Sequence, residues 1–219
     1  ELEDLWNQNY NDSRYNSYPY DAIVSFIFQE FGKDRIELQQ LTALELGFGG
    51  GNNLKFLSEV GVNFFGIDAA PSAKKIAAKL LGLTDDARLK IGTFDALPYK
   101  DEMFDLVIDR QSIGHNDHSN IDEILLESKR VLKTGGHFFS IVHGLGSTDL
   151  KHGERRSGNT FYNFKHGNFS QSGMLTAFDE KNIQHVFGKY FKIKSIKRLI
   201  IEDIQEKSLL EQYEIRMEK

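Results

Sequence analysis

The chain has 219 residues, with 27 Lys and Arg against 32 Asp and Glu, 19 glycines, 3 prolines and no cysteine. Its length suits one domain with at most an insertion, and without cysteine there is no disulfide scaffold, thiolate nucleophile or Cys-ligated metal site. A net charge of −5 argues against a protein that coats nucleic acid, and 40% hydrophobic residues exceed what a disordered chain carries. No apolar run approaches the roughly 20 residues of a membrane span, and 1–12 lacks the apolar stretch of a signal peptide. The expectation is a soluble cytoplasmic protein.

In chain order, 1–40 reads as an aromatic N-terminal arm and helical cap. Trp6, Tyr10, Tyr15, Tyr18 and Tyr20 stand among Asn, Asp and Ser, and Ala22–Phe31 then has apolar residues at helical spacing up to Gly32. Residues 41–143 alternate strand and helix. Strands are expected at Thr42–Leu46, Val62–Ile67, Ala87–Ile91, Phe104–Ile108 and, after a Gly135–Gly136 turn, His137–Val142. Helices are expected at Asn52–Val60, at Pro71–Leu81 with Pro71 in its first turn, and at Ile121–Leu132. Such alternation implies a parallel sheet covered on both faces. Residues 144–178 show little periodicity and six glycines, and such a long insert reads as a substrate lid. Residues 179–219 give a capped helix, Asp179–Gly188, and two strands, Phe191–Ile201 and Leu209–Met217, that should pair antiparallel.

The chemistry concentrates at LELGFGGGNN, residues 44–53, where a buried strand runs into Gly47-x-Gly49-x-Gly51 and then a helix. Glycine lets a backbone turn sharply and approach a ligand, and the helix start offers free N–H groups. The dinucleotide pattern G-x-G-x-x-G fails because its last position is Asn52. That, and the want of a Tyr-x-x-x-Lys pair, disfavours a nicotinamide-dependent oxidoreductase. Asp68, at the end of the second strand, stands where an acid can accept both hydroxyls of a ribose.

Glu45-x-Gly47-x-Gly49-x-Gly51 resembles the first motif of the class I S-adenosylmethionine-dependent methyltransferases. The likeness continues through FFGIDAAPSAKKIAAKL, IGTFDALPYKDEMFDLVIDRQSIGH and ESKRVLKTGGHFFSIVHG, the last two of which are similar to stretches of the family's small-molecule branch. It is close over 41–143 and looser over 174–219. The resemblance implies a doubly wound, Rossmann-like α/β sheet of seven strands, mostly parallel, with the last strand antiparallel. It implies S-adenosylmethionine as cofactor, S-adenosylhomocysteine as product, and a cofactor site of Glu45, Gly47, Phe48, Gly49, Gly51, Asn53, Asp68, Ala69 and Asp109. Tyr10 would cover that site from the arm. Many relatives carry an acid four residues before the Leu-Pro pair, at the adenine; here that position is Thr93. The adenine is then held either by Thr93 with the backbone of Phe94, or by Asp95. Asp109 lies beside the methionine end or caps the next turn.

Methyl transfer is an in-line displacement that depends on a dry pocket and an aligned approach, and an alcohol nucleophile also needs a base. His115, in DRQSIGH, and His143, in SIVHG, both fall at the carboxyl edge of the sheet, and each is a candidate base or a pocket-wall residue. His115, Asp117 and His118 lack a second cluster, so no metal is expected. Within the insert, Arg155, Arg156 and Lys165 make a cationic segment suited to a carboxylate or phosphate. The expectation is methylation of an oxygen or nitrogen on a small, anionic metabolite such as a sugar or phosphorylated compound. A protein methyltransferase and an inactive binding module of this type are the alternatives. No nucleic-acid partner is expected: Asp109-Arg110-Gln111-Ser112 stands where base-methylating enzymes carry their Pro-Pro-aromatic tetrad. A monomer or homodimer fits the length.

Overall fold

A computed structural model describes residues 16–84, 87–167, 169, 170 and 172–219. In chain order they form α1 (Asp21–Phe31), α2 (Arg35–Leu38), β1 (Thr42–Leu46), α3 (Asn52–Val60), β2 (Asn63–Asp68), α4 (Pro71–Leu81), β3 (Leu89–Ile91) and β4 (Phe104–Arg110). A 3-10 turn at Ile113–His115, α5 (His118–Val131), β5 (Leu132–His143) and a second 3-10 turn at Thr148–His152 follow. The chain ends with β6 (Glu154–Ser157), β7 (Thr160–Tyr162), β8 (Met174–Thr176), α6 (Glu180–Val186), β9 (Lys192–Asp203) and β10 (Ser208–Glu218).

Seven strands form one sheet in the order β3-β2-β1-β4-β5-β10-β9. The pairs from β3 to β5 are parallel, while β10 runs antiparallel to both β5 and β9, as expected of the last strand. Side chains on the central strands alternate between two cores. Leu44, Leu46, Val107, Phe138 and Val142 pack with α5 and α6. Ala43, Leu106, Ile108, Phe139 and Ile141 pack with α1, α3 and α4, where Phe26 stacks on Phe139 at 4.5 Å. Each buried Phe or Leu removes enough apolar surface to contribute about 1.5–3 kcal/mol. The helix ends follow local chemistry: Gly61 and Gly82 close α3 and α4 in the left-handed conformation, and Asp117 and Asp179 cap α5 and α6 through their carboxylates.

Three features depart from the sequence expectation. α5 begins at His118 rather than Ile121, because the Asp117 cap extends it through polar residues that carry no apolar period. Gly135 and Gly136 do not separate helix from strand. They sit in a bulge inside β5, whose pairing steps from Phe104↔Leu132 to Leu106↔His137, and Gly135 donates to the carbonyl of Lys219. The insert is not a structureless loop: β6, β7 and β8 form an antiparallel sheet over Leu150, Phe161, Phe164, Phe169, Leu175 and Ala177. Those apolar residues are too scattered in sequence to show a period.

Candidate functional site

The site lies at the carboxyl edge of β1, β2, β4 and β5, where an open α/β sheet leaves its crevice. Gly47 turns out of β1 with φ 70°, and a Cβ there would meet Ser112 Oγ at 2.0 Å, so only glycine admits the loop after β4. Gly49, with φ 53°, donates its N–H to Asp68 Oδ2 at 2.9 Å, while Ala70 N–H donates to Asp68 Oδ1 at 2.9 Å. Gly51 serves packing: a Cβ would meet that of Ala77 at 2.8 Å, so its absence lets α3 approach α4.

Three carboxyls are buried around this turn. Glu45 is pushed up to about 8 by burial, with Asp68 and Asp109 adding repulsion and an Asn53 hydrogen bond of 2.7 Å opposing it. Its second oxygen, Oε2, is buried without a hydrogen-bond partner among the described residues. Burial also raises Asp68 above the usual carboxylate range, against its two backbone donors. Asp109 is raised to about 6 by burial; its Oδ1 accepts from the N–H groups of Ser112 and Ile113, and its Oδ2 accepts from Ser140 Oγ at 2.6 Å. Of the two readings of Asp109, its hydrogen bonds match the cap of the following turn.

The Asn pair after the glycines fastens the end of the N-terminal arm to this cluster. Asn52 Nδ2 donates to the carbonyl of Tyr18 at 2.7 Å, and Tyr20 N–H donates to Asn53 Oδ1 at 3.1 Å. Tyr20 in turn lies under the guanidinium of Arg110, 3.8 Å from ring centroid to Cζ. Arg110 is the last residue of β4. Among the described residues its Nε is buried without a partner and it forms no ion pair, and burial lowers its affinity for its proton against the attraction of Asp109 and Glu45.

Gln111 carries the cluster on to the histidines. It adopts the left-handed conformation, φ 65°, which strains a side-chain-bearing residue. Its Oε1 accepts from Arg110, which turns the amide nitrogen toward His143 Nδ1, 3.4 Å away. His143 therefore accepts at Nδ1 and carries its proton on Nε2, and burial with His115 and Arg110 nearby holds it down to about 3. Its ring meets Phe169 edge to face at 4.9 Å. His115 Nδ1–H donates to the Met174 carbonyl at 2.9 Å, so Nε2 is its unprotonated nitrogen, and burial lowers its pKa. β8 is held on the 3-10 turn by this bond and by Thr176 Oγ1 donating to the Asn116 carbonyl.

Of the residues expected from sequence, Glu45, Gly47, Gly49, Asn53, Asp68 and Asp109 converge on the turn, with Ala69 half-buried beside Asp68. Phe48 points into the core, where a Cβ on Gly66 would meet its ring at 2.7 Å. Thr93 and Asp95 are exposed, and the Phe94 ring comes within 3.6 Å of where a Gly47 Cβ would stand. Tyr10 and Trp6 lie outside the described residues. Arg155 is held by the Gly158 carbonyl and Asn159, and Arg156 by Glu154 and the Tyr162 ring, all within the β6–β7 hairpin. The side chain of Lys165 is exposed. Among the described residues no hydrogen bond or ion pair joins these three to the histidines, so the cation beside the histidines is Arg110. Sequence reading did not single out Arg110, Gln111 or Ser140; the available signal was an Arg-Gln pair ending an otherwise apolar strand, FDLVIDRQ.

Residues 44–140 match the family model described as a methyltransferase domain. A sterol 4-C-methyltransferase of Caenorhabditis elegans is 27% identical over 120 residues, covering 53% of this chain and 35% of that protein. Phosphoethanolamine N-methyltransferase 2 of the same organism is 32% identical over 108 residues, covering 48% of this chain and 24% of that protein. The chain thus spans about a third or less of these two relatives. Among solved structures, the 1,6-didemethyltoxoflavin N1-methyltransferase of Burkholderia thailandensis, with bound 1,6-didemethyltoxoflavin and S-adenosylhomocysteine, is similar with a TM-score of 0.72. That match covers 100% of this chain and 87% of the other at 15% identity, a likeness of fold.

Proposed function

We propose that this chain, a class I S-adenosylmethionine-dependent methyltransferase by its sequence match and its fold, methylates an oxygen or nitrogen of a small anionic metabolite. The observation that carries the substrate class is Arg110, a half-buried guanidinium that makes no salt bridge among the described residues although Asp109 and Glu45 attract it, linked through Gln111 to His143. Those carboxyls act on Arg110 without a direct ion pair, so a carboxylate or phosphate on the acceptor would supply the direct contact.

The turn fits the cofactor for the complementary reason. Glu45, Asp68 and Asp109 gather acceptor capacity in one buried place, and Glu45 Oε2 has no donor among the described residues. A ligand bearing an ammonium group, hydroxyls and a cationic sulfur matches such a set. When bound, S-adenosylmethionine supplies a methyl group on sulfur whose positive charge disappears on transfer.

The remaining roles fall to this chain's side chains. Tyr20 and the Asn52–Asn53 pair hold the arm against the turn and exclude water. His115, with Nδ1–H fixed on Met174, presents the unprotonated Nε2 and takes the acceptor's proton. His143, neutral and protonated on Nε2, acts as a hydrogen-bond donor rather than a base. β8 forms the wall of the acceptor pocket, and the 144–178 insert covers it.

Calorimetry with S-adenosylmethionine and S-adenosylhomocysteine tests the cofactor, and an acceptor screen by S-adenosylhomocysteine release tests the substrate. Arg110→Met should raise the KM for an anionic acceptor by at least about tenfold and leave cofactor affinity within about twofold. Loss of cofactor affinity instead would assign Arg110 to the cofactor and remove the argument for an anionic substrate.

A further inference from the structure

The two edges of the main sheet are unlike. At one end, β3 is 3 residues long, too short to template pairing. At the other, β9 runs for 12 residues, Lys192–Asp203, and no strand lies beyond it among the described residues. A long edge strand presents a row of N–H and C=O groups that pair readily with another chain, and proteins usually blunt such edges with proline, bulges or inward charges. Over 197–203 no proline occurs and the one register shift lies at the far end, opposite Arg216 and Met217, so the edge is guarded there by charge alone, at Lys197, Arg198, Glu202 and Asp203. Ile200 is 50% exposed and Ile201 56%, although neighbouring strand residues point to opposite faces. This end of the strand thus projects past the helices on both sides.

The charge pattern along this edge is polar in the sense of a dipole. Lys192, Lys194, Lys197 and Arg198 precede Leu199, Ile200 and Ile201, and Glu202 and Asp203 follow. Such a strand is complementary to itself in the antiparallel sense. With Ile200 opposite Ile200 of a second copy, Leu199 faces Ile201, Arg198 faces Glu202 and Lys197 faces Asp203, each pair occurring twice about the two-fold axis. Opposite residues share a face, so each face of the junction has an apolar centre flanked by attractive charges. A parallel in-register arrangement sets like charges together, and a one-residue shift of the antiparallel register keeps only one of the two kinds of charge pair and sets apolar residues opposite charges.

We propose that β9 is a dimerisation edge, on which a second copy of this chain pairs antiparallel about Ile200 and joins two seven-stranded sheets into one. In the single chain Arg198 pairs with Glu211, and Lys197 lies 3.9 Å from Glu214. Both are about half exposed, and each therefore still presents charge to the second copy. The interface is isologous, as a two-fold dimer requires.

The chain has no cysteine, so an introduced one reports without background. Ile200→Cys should form a covalent dimer under mild oxidation. Ile204→Cys, more exposed at 76% but out of register, should not. Sedimentation velocity should show the unmodified chain as a dimer at high micromolar concentration. Ile201→Lys and Glu202→Lys, on opposite faces, should each raise the dissociation constant by about tenfold or more at unchanged circular dichroism. A monomer at every concentration, equal crosslinking at 204, or a dimer indifferent to both substitutions overturns the proposal.

Discussion

Replacing Glu45 by Gln should make the ligand-free protein more stable at alkaline pH and leave it unchanged at acid pH. Glu45 lies at about 8 in the folded chain against an ordinary 4.5, chiefly because burial penalises its charge. Between those values the native state holds a proton that the unfolded chain has released. Stability contributed by the protonated group is therefore fully present below pH 4.5 and is lost as pH rises through about 8. Each pH unit in that window is equivalent to about 1.4 kcal/mol, which sets an upper limit of about 5 kcal/mol for the whole loss. Gln keeps the acceptor for Asn53 and has no proton to lose. For a domain of this size 1 kcal/mol moves the midpoint by roughly 2–4 °C, so the Gln variant should melt on the order of 10 °C higher than the parent above pH 8 and level with it near pH 5. Thermal unfolding by circular dichroism at half-unit pH steps, without ligand, is the assay. A melting difference that does not change with pH, or a parent that gains on the variant toward pH 9, would refute the assignment of a buried, uncompensated carboxyl at this position.

The same carboxyl should couple cofactor binding to protons. A cationic ligand beside Glu45 favours its ionised form, so S-adenosylmethionine should bind more tightly as pH rises toward 8 and release up to about one proton near pH 7, measured by calorimetry in buffers of different ionisation heat. Gly47→Ala should cost about 2–4 kcal/mol, since its Cβ would meet Ser112 Oγ at 2.0 Å with φ at 70°. Gly82→Ala, at φ 64° with no atom of the described residues within 4 Å of the new Cβ, should cost only about 1 kcal/mol in the same denaturant titration. His115→Ala should lower kcat by roughly 100-fold or more and His143→Phe much less; with His115 as base, kcat should rise with pH below the ordinary histidine value and then level off. Equal losses for the two variants would remove the distinction between base and donor.

Strand and helix periods carried most of the main sheet. Thr42–Leu46, Asn52–Val60 and Pro71–Leu81 have the bounds expected from their patterns, because each is amphipathic or buried throughout and is closed by glycine or opened by proline. The insert was illegible because its short strands draw one small core from residues far apart, Leu150 to Ala177. The Gly-rich turn and its acids could be read because glycine and strand-end position are local signals. The Arg110–Gln111–His143 chain could not, since it depends on a left-handed Gln111 and on β5 lying beside β4. Clustered charge in sequence pointed instead to Arg155 and Arg156, whose partners are within their own hairpin.

Asn53 receives the backbone of the arm on its oxygen and gives its nitrogen to Glu45, so one amide spans the arm and the acid beneath the turn. Its two ends cannot be changed separately. A proton lost or gained on Glu45 alters the acceptor that orients the amide, and the amide's orientation decides whether Tyr20 is held. Tyr20 in turn supports Arg110. Cutting the chain before Tyr18 therefore leaves this linkage intact, whereas cutting after Tyr20 frees the acid, the amide and the cation together. The end of the arm is best regarded as the first segment of the site, with the Asn53 amide as the link that reaches the acid and can be tested one atom at a time.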